Sequence, residues 1–172
     1  DLIVSNGGFA QKTVQHGNVL EEGADIDLKA PLSVTVDFKV PVLGDLRKNN
    51  LEEKPELYIA KGDKVRYVLG KGIKLKKDQD PTVVDDIKDK EGYKVGTATF
   101  IKEGENVVMD FAFNGDDAIY DGTRHDVNVK VTAEFEIDTT SVDPEPGKTK
   151  QITVLGKTYN IGKVADEVIV RK

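Results

Sequence analysis

From Val127 to Ile137 the chain alternates without a break: Val127, Val129, Val131, Ala133, Phe135 and Ile137 are apolar, and the residues between them are polar. A helix would spread those apolar side chains around its axis, whereas an extended strand puts them all on one face. The segment is therefore a strand with one dry side, and a second apolar layer must cover that side. The same period recurs at Val34, Val36, Phe38 and Val40, at Val65, Tyr67 and Leu69, and at Val107, Met109, Phe111 and Phe113. Four half-buried antiparallel strands are expected, with Pro41 ending the first or marking an edge. Shorter strand candidates lie at Leu57 to Ala60, Val95 to Ile101, Gln151 to Leu155, Thr158 to Ile161 and Glu167 to Val170. Many short strands separated by turns predict an all-β sandwich.

Gly-bearing turns punctuate the strands at Lys61-Gly62-Asp63, Asn114-Gly115-Asp116 and Leu155-Gly156-Lys157, and Glu103-Gly104-Glu105-Asn106 has the form of a hairpin. One short helix is expected over residues 80–92. Asp80-Pro81 supplies a cap and first-turn pair, acids come early, Lys88 and Lys90 late, Gly92 closes it, and Val83, Val84 and Ile87 would face inward. A weaker helical turn is expected between Asp45 and Glu53, stopped by Pro55. Residues 139–150, with Asp143-Pro144-Glu145-Pro146-Gly147, form a long loop before closing strands that are too few to bury a core alone and so rejoin the main sheet.

At 172 residues the chain suits one domain with a sizeable core. Hydrophobic residues at 38% and charged ones at 33% place it among soluble globular domains and away from disordered tails. A net charge of −6 and a pI near 5.0 have the wrong sign for a phosphate-backbone binder, so nucleic acid is not an expected partner. With no cysteine, disulfides, thiol nucleophiles and thiolate metal sites are excluded. No apolar run approaches the length of a bilayer span, so membrane insertion of this segment is not expected. The start at Asp1-Leu2-Ile3-Val4, with neither an initiator Met nor a basic leader, is expected of a piece of something longer.

No motif in the chain fixes a chemistry. Gly147-Lys148-Thr149 and Gly156-Lys157-Thr158 lack the earlier glycine and following helix of a phosphate-cradling loop, which leaves them as basic turns. Leu69-Gly70-Lys71-Gly72 is a fragment of a dinucleotide fingerprint that ends a strand and opens no helix. His16 and His125 sit in polar segments without a positioned nucleophile and are read as surface histidines. Acids at Asp78, Asp80, Asp85, Asp86 and Asp89, and at Asp116, Asp117 and Asp121, do not match a calcium loop, so no metal or cofactor is expected. Lys71, Lys74, Lys76 and Lys77 form a basic run that would suit an anionic ligand, but Asp78 and Asp80 follow at once; a solvated strand end is the plainer reading. With no Trp and with Tyr58, Tyr67, Tyr93, Tyr120 and Tyr159 scattered, a sugar cleft is a weak alternative. No catalytic residue and no ligand residue is assigned, and the chain is not expected to be an enzyme.

Gly62-Asp63-Lys64-Val65-Arg66-Tyr67-Val68-Leu69 followed by Gly72-Ile73-Lys74-Leu75 resembles a strand of the ligand-binding regions of Gram-positive cell-wall-anchored adhesins of the MSCRAMM type. Gly96-Thr97-Ala98-Thr99-Phe100 with Gly104, Asn106, Val107, Met109 and Phe111 is similar to their next hairpin. Val129 through Asp138 resembles the strand before the closing part, and Val168-Ile169-Val170 the exit strand. The resemblance runs from about Pro31 to Lys172, and it departs at Gly70, where the family usually carries Pro. It implies a variant immunoglobulin-like sandwich over residues 31–172, preceded by an extension or leading strand over 1–30, exported to the bacterial cell wall. It also implies non-covalent binding of a host matrix or plasma protein through sheet edges, loops or a cleft shared with an adjacent module of the same polypeptide. A stalk or pilus module without its own ligand is the alternative. Some such modules carry a Lys–Asn or Lys–Asp isopeptide crosslink; Lys39 and Lys130 fall on polar strand faces, so that crosslink is not expected, with Asn160 the one residue that keeps it in view.

Overall fold

The computed structural model describes residues 2–5, 9–76, 81–138 and 150–161. Two sheets face each other across one core. The first is ordered β2 (Asn18–Val19), β1 (Phe9–Gln15), β4 (Leu32–Val40), β10 (Val127–Ile137), β6 (Ile73–Lys74). The second is ordered β3 (Asp25–Ile26), β12 (Lys157–Ile161), β11 (Lys150–Val154), β5 (Lys64–Lys71), β9 (Asn106–Ala112), β8 (Lys94–Glu103), β7 (Thr82–Lys88). Neighbouring strands run antiparallel except β3 and β12, which are parallel. This is the all-β sandwich that the strand pattern predicts. Among the described residues three short α-helices accompany it, α1 (Leu2–Ser5), α2 (Leu43–Arg47) and α3 (Asp117–Tyr120).

The core follows from the two-residue period. β4 and β10 pair from Val127↔Val40 to Phe135↔Leu32, so their apolar sets share one face. Leu32, Val34, Val36, Phe38 and Val40 are buried with the six apolar residues of β10. The second sheet answers with Val95, Ala98, Phe100, Met109, Phe111, Leu69, Ile152, Val154, Tyr159 and Ile161. Aromatic edges join the layers: Phe38 meets Phe111 and Phe100 meets Phe135, each pair 5.4 Å between ring centroids.

The hairpin expected at Glu103 to Asn106 is present, with those two residues paired. Leu155 and Gly156, both at positive φ, make the β11–β12 turn. These closing strands rejoin the second sheet through β11–β5 and β12–β3. The weak helical turn after Asp45 is realised in part by α2, which starts at Leu43. Glu167 to Val170 and the loop 139–149 lie outside the described residues.

Two expectations are corrected. Residues 82–88 form β7 rather than a helix. Thr82, Val83 and Val84 are β-branched and pair with Phe100, Thr99 and Ala98. A bulge at Asp85 and Asp86, with Asp86 at φ 53°, then resets the register so that Ile87 is buried three residues after half-buried Val84. The bulge gives a strand the spacing of a helix. Leu57 to Ala60 is not a strand either: a 3-10 turn occupies Pro55–Leu57, and Ile59 only anchors the loop by donating its N–H to Pro41 O at 2.7 Å. Proline at the start of that turn has no N–H for a ladder.

The first thirty residues contribute β1, which lies beside β4 from Phe9↔Phe38 to Val14↔Ser33. Its inward side is unusually polar. Gln11 donates to Leu155 O at 2.8 Å and accepts from the Tyr67 hydroxyl at 3.1 Å, and Gln15, buried, bonds to Asp27 and Ala30. Between β5 and β6 the chain changes sheets at Gly72. Lys102 of β8 spans the same corner, donating to Ile73 O at 2.8 Å and pairing with the buried Asp138 carboxylate at 3.3 Å.

Gly70, the departure from the family pattern, sits where β5 meets β11. A Cβ there would lie 2.0 Å from Thr153 O. Gly70→Ala is expected to lower stability by about 2–3 kcal/mol in urea unfolding, whereas Gly104→Ala, with open space around the new Cβ, costs about 1 kcal/mol for its left-handed backbone alone. Lys102→Ala, which removes the ion pair to Asp138 and the hydrogen bond to Ile73 O, is expected to cost about 1–2 kcal/mol in the same assay.

Candidate functional site: an open sheet edge

β10 is eleven residues long, yet among the described residues only Glu136 and Ile137 are paired on the side away from β4, to Lys74 and Ile73. Asp138 N–H donates to Gly72 O on that same side, at 2.9 Å. Successive residues of a strand send their backbone groups to opposite sides, so the N–H and C=O groups of Glu134, Thr132, Lys130 and Asn128 also point there. Among the described residues they meet no strand. β7 lies beside β10 on this flank of the sandwich but bonds to β8. The result is an edge with backbone donors and acceptors at every second residue and a fully apolar inner face behind it. Such an edge can add an extended segment by main-chain hydrogen bonding, with side-chain fit deciding which segment.

The start of the edge is held by a polar knot. Asp45 of α2 accepts from Val42 N–H at 3.0 Å and from Asp126 N–H at 2.8 Å. Asp126 in turn bonds His125 Nδ1 at 2.8 Å and Lys39 Nζ at 3.4 Å. The His125 ring and then Lys39 hold the Asp126 carboxyl below the usual carboxylate range. Asp45, His125 and Asp126 are the group of potential metal-ligating side chains closest to one another among the described residues. Both Asp45 oxygens are, however, already accepting backbone N–H groups, and two lysines lie against Asp126, an arrangement suited to fixing α2 on β10.

The other sequence candidates fall apart in space. His16 and His125 are both exposed, each beside an aspartate, Asp27 and Asp126. Asp89 accepts from Glu91 and Tyr93 N–H and Asp121 from Thr123, so each closes its own turn, whereas Asp116 accepts from Lys94 N–H on β8 and Asp117 pairs with Lys61; Asp85 and Asp86 lie in the bulge of β7. Gly156-Lys157-Thr158 is a hairpin turn, while Gly147-Lys148-Thr149, Lys77, Asp78 and Asp80 lie outside the described residues. Lys39 pairs with Asp126, Lys130 is exposed, and the Asn160 amide is engaged by Gly23 O and Gln151. The tyrosines make no shared platform: Tyr159 is buried, Tyr120 donates to Val95 O, Tyr67 to Gln11, and Tyr93 lies under Arg124. The open edge itself is not marked by any motif, because it depends on which strands fail to pair.

Neither a protein-family model nor a curated protein matches the chain. Solved structures do. A serine-rich repeat protein, Srr2, of Streptococcus agalactiae superposes with a TM-score of 0.52 at 12% identity, over 91% of this chain and 44% of that one. The serine-rich repeat adhesion glycoprotein Srr1 of the same species gives a TM-score of 0.52 at 12% identity, over 90% of this chain and 44% of that one. The chain thus spans under half the length of either, and what it shares with them is the fold.

Asp27, Asp121 and Asp126 all have lowered carboxyl pKa values. Asp27 owes this first to Lys29 N–H and then to His16, and Asp121 first to the Thr123 hydroxyl and then to its N–H. A depressed folded-state pKa stabilises above the unfolded value of about 4 and is lost as pH falls through the folded value. Carboxyl-carbon NMR titration is expected to give midpoints below that of free aspartate for these three residues, and His125→Ala is expected to raise the midpoint of Asp126 alone.

Proposed function

We propose that this chain is a module of a bacterial surface adhesin, acting outside the cell at the cell wall, that binds a host matrix or plasma protein non-covalently by accepting an extended segment along β10. The observation that carries the reading is the run of backbone groups at Asn128, Lys130, Thr132 and Glu134 facing away from β4. Each main-chain bond formed there would contribute about 0.5–1.5 kcal/mol net. The alternation of the edge asks for a segment with apolar side chains at every second position, directed toward the flank where β10 and β7 lie side by side. The fold shared with streptococcal adhesins supports this assignment. No bond is made or broken in this reading, and it calls for no cofactor.

Lys130→Pro tests it. Proline removes an N–H on the open side while leaving the β4 ladder, which uses the odd-numbered residues, in place. The unsubstituted chain is expected to bind saturably to one of immobilised collagen, fibrinogen or fibronectin, and Lys130→Pro to weaken that binding about tenfold or more with an unchanged circular dichroism spectrum. Undiminished binding by a folded Lys130→Pro chain would refute strand addition. Absence of binding by the unsubstituted chain would favour a stalk module.

A further inference from the structure

On the side of the first sheet away from β10, β4 is covered by β1, which is backed in turn by the two-residue β2. This hairpin holds on mainly by polar contacts. No apolar side chain of β1 or β2 is buried, and the two buried residues are Thr13 and Gln15. Gln11 bonds to Leu155 O and the Tyr67 hydroxyl, and Gln15 to Asp27 and Ala30. Phe9 is half-buried, stacked on Phe38 at 5.8 Å and against Tyr67 at 4.8 Å between ring centroids. α1, which leads into β1 and touches β4, adds the buried Ile3. β10, on the other side of β4, buries six apolar residues. An amide or hydroxyl released to water exchanges one hydrogen bond for another, whereas an exposed valine or phenylalanine loses its burial outright. Lifting β1 from β4 therefore costs far less than lifting β10.

The geometry also confines such an opening. Just after β2 the chain is pinned to β12: the Glu22 carboxylate accepts from Thr158 N–H at 3.1 Å, Gly23 N–H donates to Thr158 O at 2.8 Å, and β3 pairs with β12. Leu20 and Glu21 stand between as the pivot. With β1 away, β4 keeps its pairing with β10, and the two layers stay joined at Gly72. β4 pairs with β10 through its even-numbered residues, so Ser33, Thr35 and Asp37 exchange bonds with Val14, Lys12 and Ala10 of β1.

We propose that the segment from α1 to β2 is a removable cover on β4, which opens as one unit while the sandwich stays folded and bares the N–H and C=O groups of Ser33, Thr35 and Asp37. The first sheet then has a second unpaired edge, kept out of reach in the closed form. The inference stands apart from the reading of the β10 edge, which lies on the other side of the sheet.

Amide hydrogen exchange followed by NMR on the unsubstituted chain tests it, because neighbouring residues of β4 report on opposite sides. Ala10, Lys12, Val14, Thr35 and Asp37 are expected to share one protection factor, about a hundredfold or more below those of Val34, Val36 and Val131. The chain has no cysteine, so Ala10→Cys with Asp37→Cys, two exposed positions directly opposite in the register, introduces a single disulfide. Oxidation is expected to bring the first group up to the protection of the second, while the reduced form keeps the difference. Equal protection of odd and even residues of β4, protection that rises gradually along β1 as in fraying from one end, or fast exchange that survives the disulfide would each overturn the proposal.

Discussion

The antiparallel register between β4 and β10 is the constraint on which the rest of the molecule rests. Nine consecutive pairings bring two alternating sequences into phase, so every valine and phenylalanine of one joins those of the other on a single face. Sliding by one residue would turn Val129, Val131 and Phe135 to water and bring Lys130 and Glu134 into the core. Once that face exists, the second sheet has only one surface to pack on, and Phe38–Phe111 and Phe100–Phe135 set how it packs. Side-chain pairing outside the core is subordinate: the Thr35 and Thr132 hydroxyls bond each other across the same ladder at 3.1 Å.

How much of this is legible in the sequence depends on how local the physics is. β4, β9 and β10 announce themselves because alternation is a property of neighbours in the chain. β7 does not, because one bulge changes its spacing from that of a strand to that of a helix, and Asp80-Pro81 imitates a cap. β1 is equally hard to read from the sequence. Its inward residues Gln11 and Gln15 are polar, and what makes Gln11 an inside residue is Leu155 O, 144 positions away. Whether an edge is open is still less local, since it is decided by β6 stopping after two residues.

The two strands on that flank treat solvent differently. β7 bears the marks of a guarded edge: a bulge carrying two adjacent acids, Asp85 and Asp86, with Asp86 in a left-handed conformation and Lys94 close to it. Its neighbour β10 carries Asn, Lys, Thr and Glu side chains outward but keeps an unbroken register with β4. Charge on the outer face limits indiscriminate pairing without removing the ladder groups themselves. Discrimination there falls to the side chains of whatever segment arrives.

The single residue Gly72 between β5 and β6 has a mechanical meaning. A chain that leaves one layer and enters the other within one residue ties the layers as a stitch ties two cloths, and Lys102 on Asp138 and Ile73 O draws the stitch tight. Tension that peels β6 from β10 passes directly into the β5–β9 ladder, where many bonds lie side by side and must yield together. The layers therefore share load and melt as one cooperative body rather than parting in sequence.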